Sequence, residues 1–164
     1  MTQPADLDIS SAKSSDVPLI LSLINELADY EKLRHESVAT EASIHRALFG
    51  PKPHAEAVIA RFGGTPAGFA LFFHNFSTFL GKPGLYLEDL FVRPKFRGKK
   101  VGDALLSHVA AAARDETCFG IMLNVLGWNQ SAIEFFQKRG ATMLGDWRTA
   151  CFDGDALQVL AARR

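Results

Sequence analysis

Leu85-Tyr-Leu-Glu-Asp-Leu-Phe-Val-Arg-Pro-Lys-Phe-Arg97-Gly98-Lys99-Lys100-Val101-Gly102 is the stretch on which the fold turns. Residues 85–92 are apolar apart from Tyr86, Glu88 and Asp89, and Arg93-Pro94 ends the run, so they read as a strand. Val101, Ala104, Leu105, His108, Val109 and Ala112 follow on one helical face. Phe119 to Leu126 is nearly continuously apolar, which predicts a strand buried on both faces. Strand, helix and strand in that order imply a parallel pair with a crossover helix.

Working outward, Ala57–Phe62 and Ala67–His74 flank Gly63-Gly64-Thr65-Pro66 and read as a β-hairpin, with a loop from Phe76 to Gly84. Further upstream, Ile20, Leu23, Ile24 and Leu27 mark a helix from Val17 to Leu33. Ser14, Ser15 or Asp16 would cap it, and Pro18 suits its first turn. A weaker helix covers Glu41–Phe49, and Leu7–Ala12 is a short first strand. Downstream, Asn129 caps a helix that ends in Lys138-Arg139 before Gly140. Trp147–Phe152 reads as a last strand, followed by the Asp153-Gly154 turn and a short amphipathic piece. The expected fold class is α/β, a central mixed sheet flanked by helices, with residues 1–6 a flexible tail and 7–164 one domain.

The composition agrees with an ordinary globular core: 164 residues, 48% hydrophobic and 22% charged. Lys+Arg and Asp+Glu are 18 each, so the positive excess of a duplex binder is missing and no nucleic-acid partner is expected. No apolar run approaches a membrane span, and the N-terminus lacks the features of a secretory leader, so no membrane partner is expected and the cytoplasm is the default. Cys118 and Cys151 lie outside metal-site or CxxC spacing and read as buried free thiols, so no metal is expected.

The chemistry points to the strand–loop–helix. Backbone N–H groups at a helix start, with the helix dipole, form an anion site. Gly98 and Gly102 let a ligand approach the backbone, and Arg97, Lys99 and Lys100 add charge. This composition suits a pyrophosphate or a phosphate, although it is neither a Walker loop nor GxGxxG. The plain alternative is a strand–helix connection with solvated basic side chains. Glu88 sits mid-strand among apolar residues, where a buried carboxylate gains a raised pKa and can accept a proton; a structural ion pair is the alternative. Strand alternation puts Asp89 on the other face.

The loop resembles the acyl-CoA pyrophosphate loop of GNAT acetyltransferases, [RQ]xxGx[GA], with Arg97 and Gly102 at its ends. Lys100 stands where that family has Gly. If position 100 needs only its amide, lysine serves there; if it needs a positive φ, lysine is strained. The first is the expectation. Tyr86 to Val92, Trp128-Asn129 with Ala132-Ile133, Lys138 to Ala141, and Asp146-Trp147 through Gly154 resemble the spermidine/spermine (diamine) acetyltransferase subfamily, especially its thialysine-acetylating branch. So do Glu26 to Glu31 and Phe79 to Lys82.

The resemblance implies a GNAT acyl-CoA N-acyltransferase fold and transfer from acetyl-CoA to a small primary amine by direct attack, without a metal. It implies that Leu90, Phe91 and Val92 hold the pantetheine arm by their backbone. Arg97, Gly98, Lys99, Lys100, Val101, Gly102 and Asp103 would hold the pyrophosphate, with Asn129 also contacting the cofactor. For Asn129 a simple N-cap is the alternative. It further implies that Tyr30, Glu31, Glu88, Asp89 and Asn124 contact the substrate, with Glu88 the catalytic residue, and that the protein is a homodimer. Phe136 occupies the position of the subfamily's tyrosine acid and has no proton to give. Ser77 stands near an aspartate of the polyamine-specific enzymes, which turns the expectation from long polyamines toward a thialysine-like amino acid or short diamine. Two rivals remain at this level: a protein-lysine or N-terminal acetyltransferase, and a silent acyl-CoA sensor.

Overall fold

Alternating apolar residues and Gly-rich turns produce a five-stranded mixed sheet in the computed structural model, which describes residues 4–163. Its elements are β1 (Leu7–Ser11), α1 (Val17–Glu31), α2 (Glu41–Phe49), β2 (Glu56–Phe62), β3 (Thr65–Ser77), β4 (Lys82–Val92), α3 (Val101–Asp115), β5 (Ile121–Met122), α4 (Gln130–Gln137) and α5 (Gly154–Ala161). The strands lie in the order β1-β2-β3-β4-β5. The first four pair antiparallel, and β4 pairs with β5 in parallel through the α3 crossover. The chain divides into two compact units, Met1–Asn124 and Val125–Arg164. No helix among the described residues is long and apolar enough to cross a membrane.

In the first unit, Ile20 and Leu23 of α1 and Leu48 of α2 bury against Ala57, Ile59, Phe69 and Phe91 on one face of the sheet. Val101, Leu105, Val109 and Ala113 are the buried stripe of α3, which packs on β1 to β4. Gly68 is obligatory where β3 meets β4, because a Cβ there would overlap the Phe91 carbonyl. Asp16 does not cap α1 with its side chain; it pairs with Arg61 at 2.9 Å and accepts from the Lys13 amide. The expected tail lies in part outside the described residues, and Pro4 and Asp6 already accept backbone bonds from Leu7 and Gly63.

Three expectations change. The 76–84 loop shrinks to 78–81, because β3 runs on to Ser77 and β4 starts at Lys82. The strand expected over 119–126 contracts to Ile121–Met122, since parallel pairing with β4 extends only over Leu85 and Tyr86. No strand forms over 147–152. A strand exists only by pairing, the described residues of the second unit contain none, and Trp147 and Phe152 are 76% and 64% exposed. The cysteines also differ from buried thiols: Cys118 is half-buried and Cys151 exposed.

Candidate active site

The sheet register departs from regularity at the two carboxylates of β4. Asp89 pairs with Leu71 and Leu87 with Phe72, so Glu88 is one residue too many and forms a β-bulge. Residues across a ladder share a face, so the bulge shifts the phase of the strand. Leu87 follows Phe72, whereas Asp89 and Phe91 follow Leu71 and Phe69 onto the face covered by α1 and α2. Glu88 is therefore exposed, not buried as its apolar neighbours suggested, and Asp89 is the half-buried carboxylate. The simple odd–even rule that separated the two residues fails at an inserted residue.

Burial first, then the negative charges of Glu88 and Glu31, push Asp89 from its ordinary 3.8 up to about 7. Glu31, at the last position of α1, is itself raised by desolvation. Tyr86 is raised too, by desolvation and then by Glu88, so its phenol keeps its proton at neutral pH. Among the described residues none of Glu31, Glu88 and Asp89 is paired with a cation. The site thus gathers carboxylates that lack a positive partner around one proton acceptor poised near neutrality.

Beyond the bulge, β4 keeps its ladder with β3 as far as Val92, and among the described residues no strand pairs on its other side. Alternate residues from Glu88 to Val92 therefore turn backbone N–H and C=O groups away from β3 without a sheet partner. The chain then makes a single 3-10 turn at Pro94–Phe96, anchored by the buried Phe96, and enters the 97–102 loop. Arg97 donates from Nε to the Val92 carbonyl at 3.0 Å, and its guanidinium lies 4.6 Å over the Tyr30 ring. The end of β4, the loop and the end of α1 are thereby joined through one side chain.

Gly98 has φ +76° and Lys100 φ 62°. Position 100 therefore does need the left-handed conformation, so the expectation that only its amide matters is corrected. Lys100 carries the strain a glycine would avoid. It is the N-cap of α3 without a side-chain cap bond, and the first amides of α3 follow it with no intrahelical acceptor. Arg97, Lys99 and Lys100 are exposed beside them. An anion meets both backbone donors and positive charge here.

Sequence reasoning missed the pair that fixes α1 against this site. Arg93, at the end of β4, donates from Nε and Nη2 to Glu26 of α1 at 2.9 and 2.6 Å, and from Nη1 to the Pro66 carbonyl at 3.0 Å. The Arg93 hydrogen bonds hold Glu26 below the usual carboxylate range. The signal was present as an Arg directly before a strand-ending Pro and a Glu on the polar side of α1, but 67 residues separate them.

The remaining candidates are Asn124, Asn129 and Phe136. Asn124 is exposed beyond β5. In the second unit, Asn129 is buried, and its Oδ1 accepts from the Ala132 amide at 3.2 Å and the Ser131 hydroxyl at 3.0 Å, so the N-cap role is present. Phe136 is buried and meets Phe135 edge-on at 5.2 Å between centroids.

Known proteins carry the same pattern. Residues 21–141 match the Acetyltransferase (GNAT) family. The chain is 33% identical to a thialysine N-epsilon-acetyltransferase of Bos taurus, over 94% of this chain and 97% of that one. It is 30% identical to an L-ornithine N5-acetyltransferase of Arabidopsis thaliana, over 93% and 86%. An integron cassette protein from the mobile metagenome of V. cholerae superposes with a TM-score of 0.80 at 23% identity, over 96% and 99% of the two chains, which bears on the fold. With the family match spanning most of the sheet, the 97–102 loop and α3, the chain belongs to the GNAT acetyltransferases and is an N-acetyltransferase.

Proposed function

We propose that the protein transfers an acetyl group from acetyl-CoA, the cosubstrate of its family, to the primary amine of a small, cationic, amino-acid-like molecule or short diamine. The observation that carries this reading is the Glu31–Glu88–Asp89 cluster, in which Asp89 is poised at about 7. Its negative charge attracts an ammonium, and a carboxyl of that pKa takes the proton the amine must lose before its lone pair can attack. The relatives act, by name, on thialysine and L-ornithine, both amino acids with a side-chain amine.

The cosubstrate fits the residues present. Arg97, Lys99, Lys100 and the α3 amides suit its pyrophosphate, and the β4 edge at Leu90, Phe91 and Val92, beside which no described strand pairs, suits its pantetheine amides. A backbone N–H of that edge would polarise the thioester carbonyl. Asp89, in place of the exposed Glu88, accepts the amine proton, while Glu88, Glu31 and Tyr30 orient the cation. Positioning the amine beside the thioester supplies much of the rate. Tyr86, protonated at neutral pH, offers a proton for the thiolate that Phe136 cannot give. The two free thiols suit a reducing compartment such as the cytoplasm.

A homodimer is also part of this reading. In the second unit Trp147, Phe152, Leu157, Val159 and Leu160 are 42% to 76% exposed, an apolar surface that a second copy would cover. Light scattering should give twice the chain mass at micromolar concentration, and a monomer mass would refute it. The function itself is tested by kcat/KM across an amine panel with acetyl-CoA, following free thiol. Thialysine or ornithine should lead spermidine. A preference for spermidine overturns the acceptor class, and turnover only on peptide amines assigns a protein substrate.

A further inference from the structure

Away from the acetyl-transfer site, His74 of β3, Glu116 at the C-cap of α3 and Cys118 just before β5 converge. One imidazole nitrogen, one carboxylate oxygen and the thiol sulfur lie within 4.8 Å of one another. The end of α3 builds this arrangement: the Cys118 amide donates to Ala113 O at 2.8 Å and the Thr117 amide to Arg114 O at 3.1 Å. These are the two bonds of a Schellman turn. Thr117 fills its left-handed position at φ 56°, where a β-branched residue is strained. The turn leaves Glu116 and Cys118, two residues apart, beside the same histidine.

We propose that His74, Glu116 and Cys118 bind one divalent transition metal of the zinc type, with solvent completing its coordination. Nitrogen, oxygen and sulfur donors together match the borderline character of Zn2+, and three protein ligands leave one tetrahedral position open. Bonds of about 2.0–2.3 Å put tetrahedral donors about 3.3–3.8 Å apart. The thiol sulfur, within 4.8 Å of both other donors, must close to that spacing. His74 Nε2 and Glu116 Oε2, at 2.5 Å, must separate by about 1 Å. Both side chains are nearly half-exposed, at 45% and 46%, so their rotamers are free to do so. On binding, the Cys118 S–H bond breaks, a metal–sulfur bond forms and the proton passes to solvent.

The place is distinct from the carboxylate cluster. His74 pairs with Leu85, while Asp89 pairs with Leu71 three residues along β3, about 10 Å away. It also lies at the opposite end of the 15-residue α3 from the 97–102 loop, about 22 Å along the helix. A bound metal would clamp that end of α3 to β3.

The test titrates untagged full-length protein with Co2+, whose thiolate complexes absorb in the near ultraviolet, and with Zn2+ by calorimetry. One equivalent should saturate the thiolate band. Cys118→Ser should abolish it, Cys151→Ser should leave it intact, and Glu116→Gln, nearly isosteric, should weaken Zn2+ by tenfold or more. Zn2+ should raise the melting temperature of the wild type and leave that of Cys118→Ser unchanged. Metal-free acetyl transfer by Cys118→Ser should stay within twofold, which reports that it folds. Absence of the band in the wild type, its loss with Cys151→Ser, or unchanged Zn2+ affinity in Glu116→Gln would each overturn the site.

Discussion

Replacing Asp89 with Asn should make the protein more stable and less active. Folding raises this carboxyl from 3.8 to about 7, chiefly by burial and then by the charges of Glu88 and Glu31. Between those values the folded state holds a proton that the unfolded chain has released. The sign follows: as far as Asp89 is concerned, stability is complete below about pH 4, falls as pH rises, and levels off above about pH 7. At about 1.4 kcal/mol per pH unit the full loss is on the order of 4 kcal/mol. Asn has nearly the same shape and no charge to desolvate. Urea unfolding of both proteins from about pH 4.5 to 8.5 should give stability curves that meet at the acidic end and diverge upward for Asp89→Asn. The wild-type kcat/KM for the amine should rise through an apparent pKa near 7, and the variant should lose that limb with about a hundredfold drop. Parallel stability curves would refute the burial argument. A preserved acidic limb in the variant would refute Asp89 as the proton acceptor even if the stability result held.

Lys100→Gly should stabilise the fold by about 1 kcal/mol, because it relieves a left-handed lysine at φ 62°; a melting temperature that does not rise contradicts this. Gly102→Asp should weaken acetyl-CoA at least tenfold by calorimetry, since it sets a negative charge at the start of α3, and unchanged affinity would remove the loop from the site. Arg93→Ala should cost about 2 kcal/mol in urea by leaving Glu26 without its partner. The same variant should raise KM for the amine more than for acetyl-CoA, as Tyr30 and Glu31 end the helix that Glu26 anchors; equal changes in both constants would argue against that anchoring role.

What the sequence made legible was local. Glu41–Phe49 ends at Gly50-Pro51 and is helical over those residues, and the hairpin around Gly63-Gly64 forms because its turn chemistry is written at the turn. The strand–loop–helix from Leu85 to Asp115 reads equally well, since Arg93-Pro94 and Gly98 mark its joints. Pairing was harder to read. Phe119–Leu126 is apolar enough for a long strand, yet strand length is set by the partner, and β4 offers only two residues. Trp147–Phe152 has strand composition and no strand to join within its unit. The left-handed Lys100 could not be read from its residue type, because lysine adopts that φ only with strain. The bulge did leave a trace: apolar residues stand at 85 and 87 and then at 90, 91 and 92, a phase change centred on Glu88 and Asp89.

That one extra residue accounts for most of the candidate site. Were β4 regular past Leu87, residue 88 would pair with Leu71 and residue 89 would turn to the α3 face, away from Glu31. With Glu88 inserted, one carboxylate is expelled to solvent, where it costs little. The next is driven onto the α1 face, where desolvation and two like charges raise its pKa. The parallel ladder to β5 also stops before the bulge, at Tyr86, so the strand beyond it presents backbone donors and acceptors on an open edge. A proton acceptor near neutrality, a patch of carboxylates lacking a cation and an edge able to bond a ligand's amides therefore share one cause. The Glu26–Arg93 pair then fixes α1 to the end of β4, so that Glu31 stays close enough to Asp89 to bias its proton. The geometry proposed for the reaction is thus a property of strand register, stabilised by an ion pair whose members lie far apart in the chain.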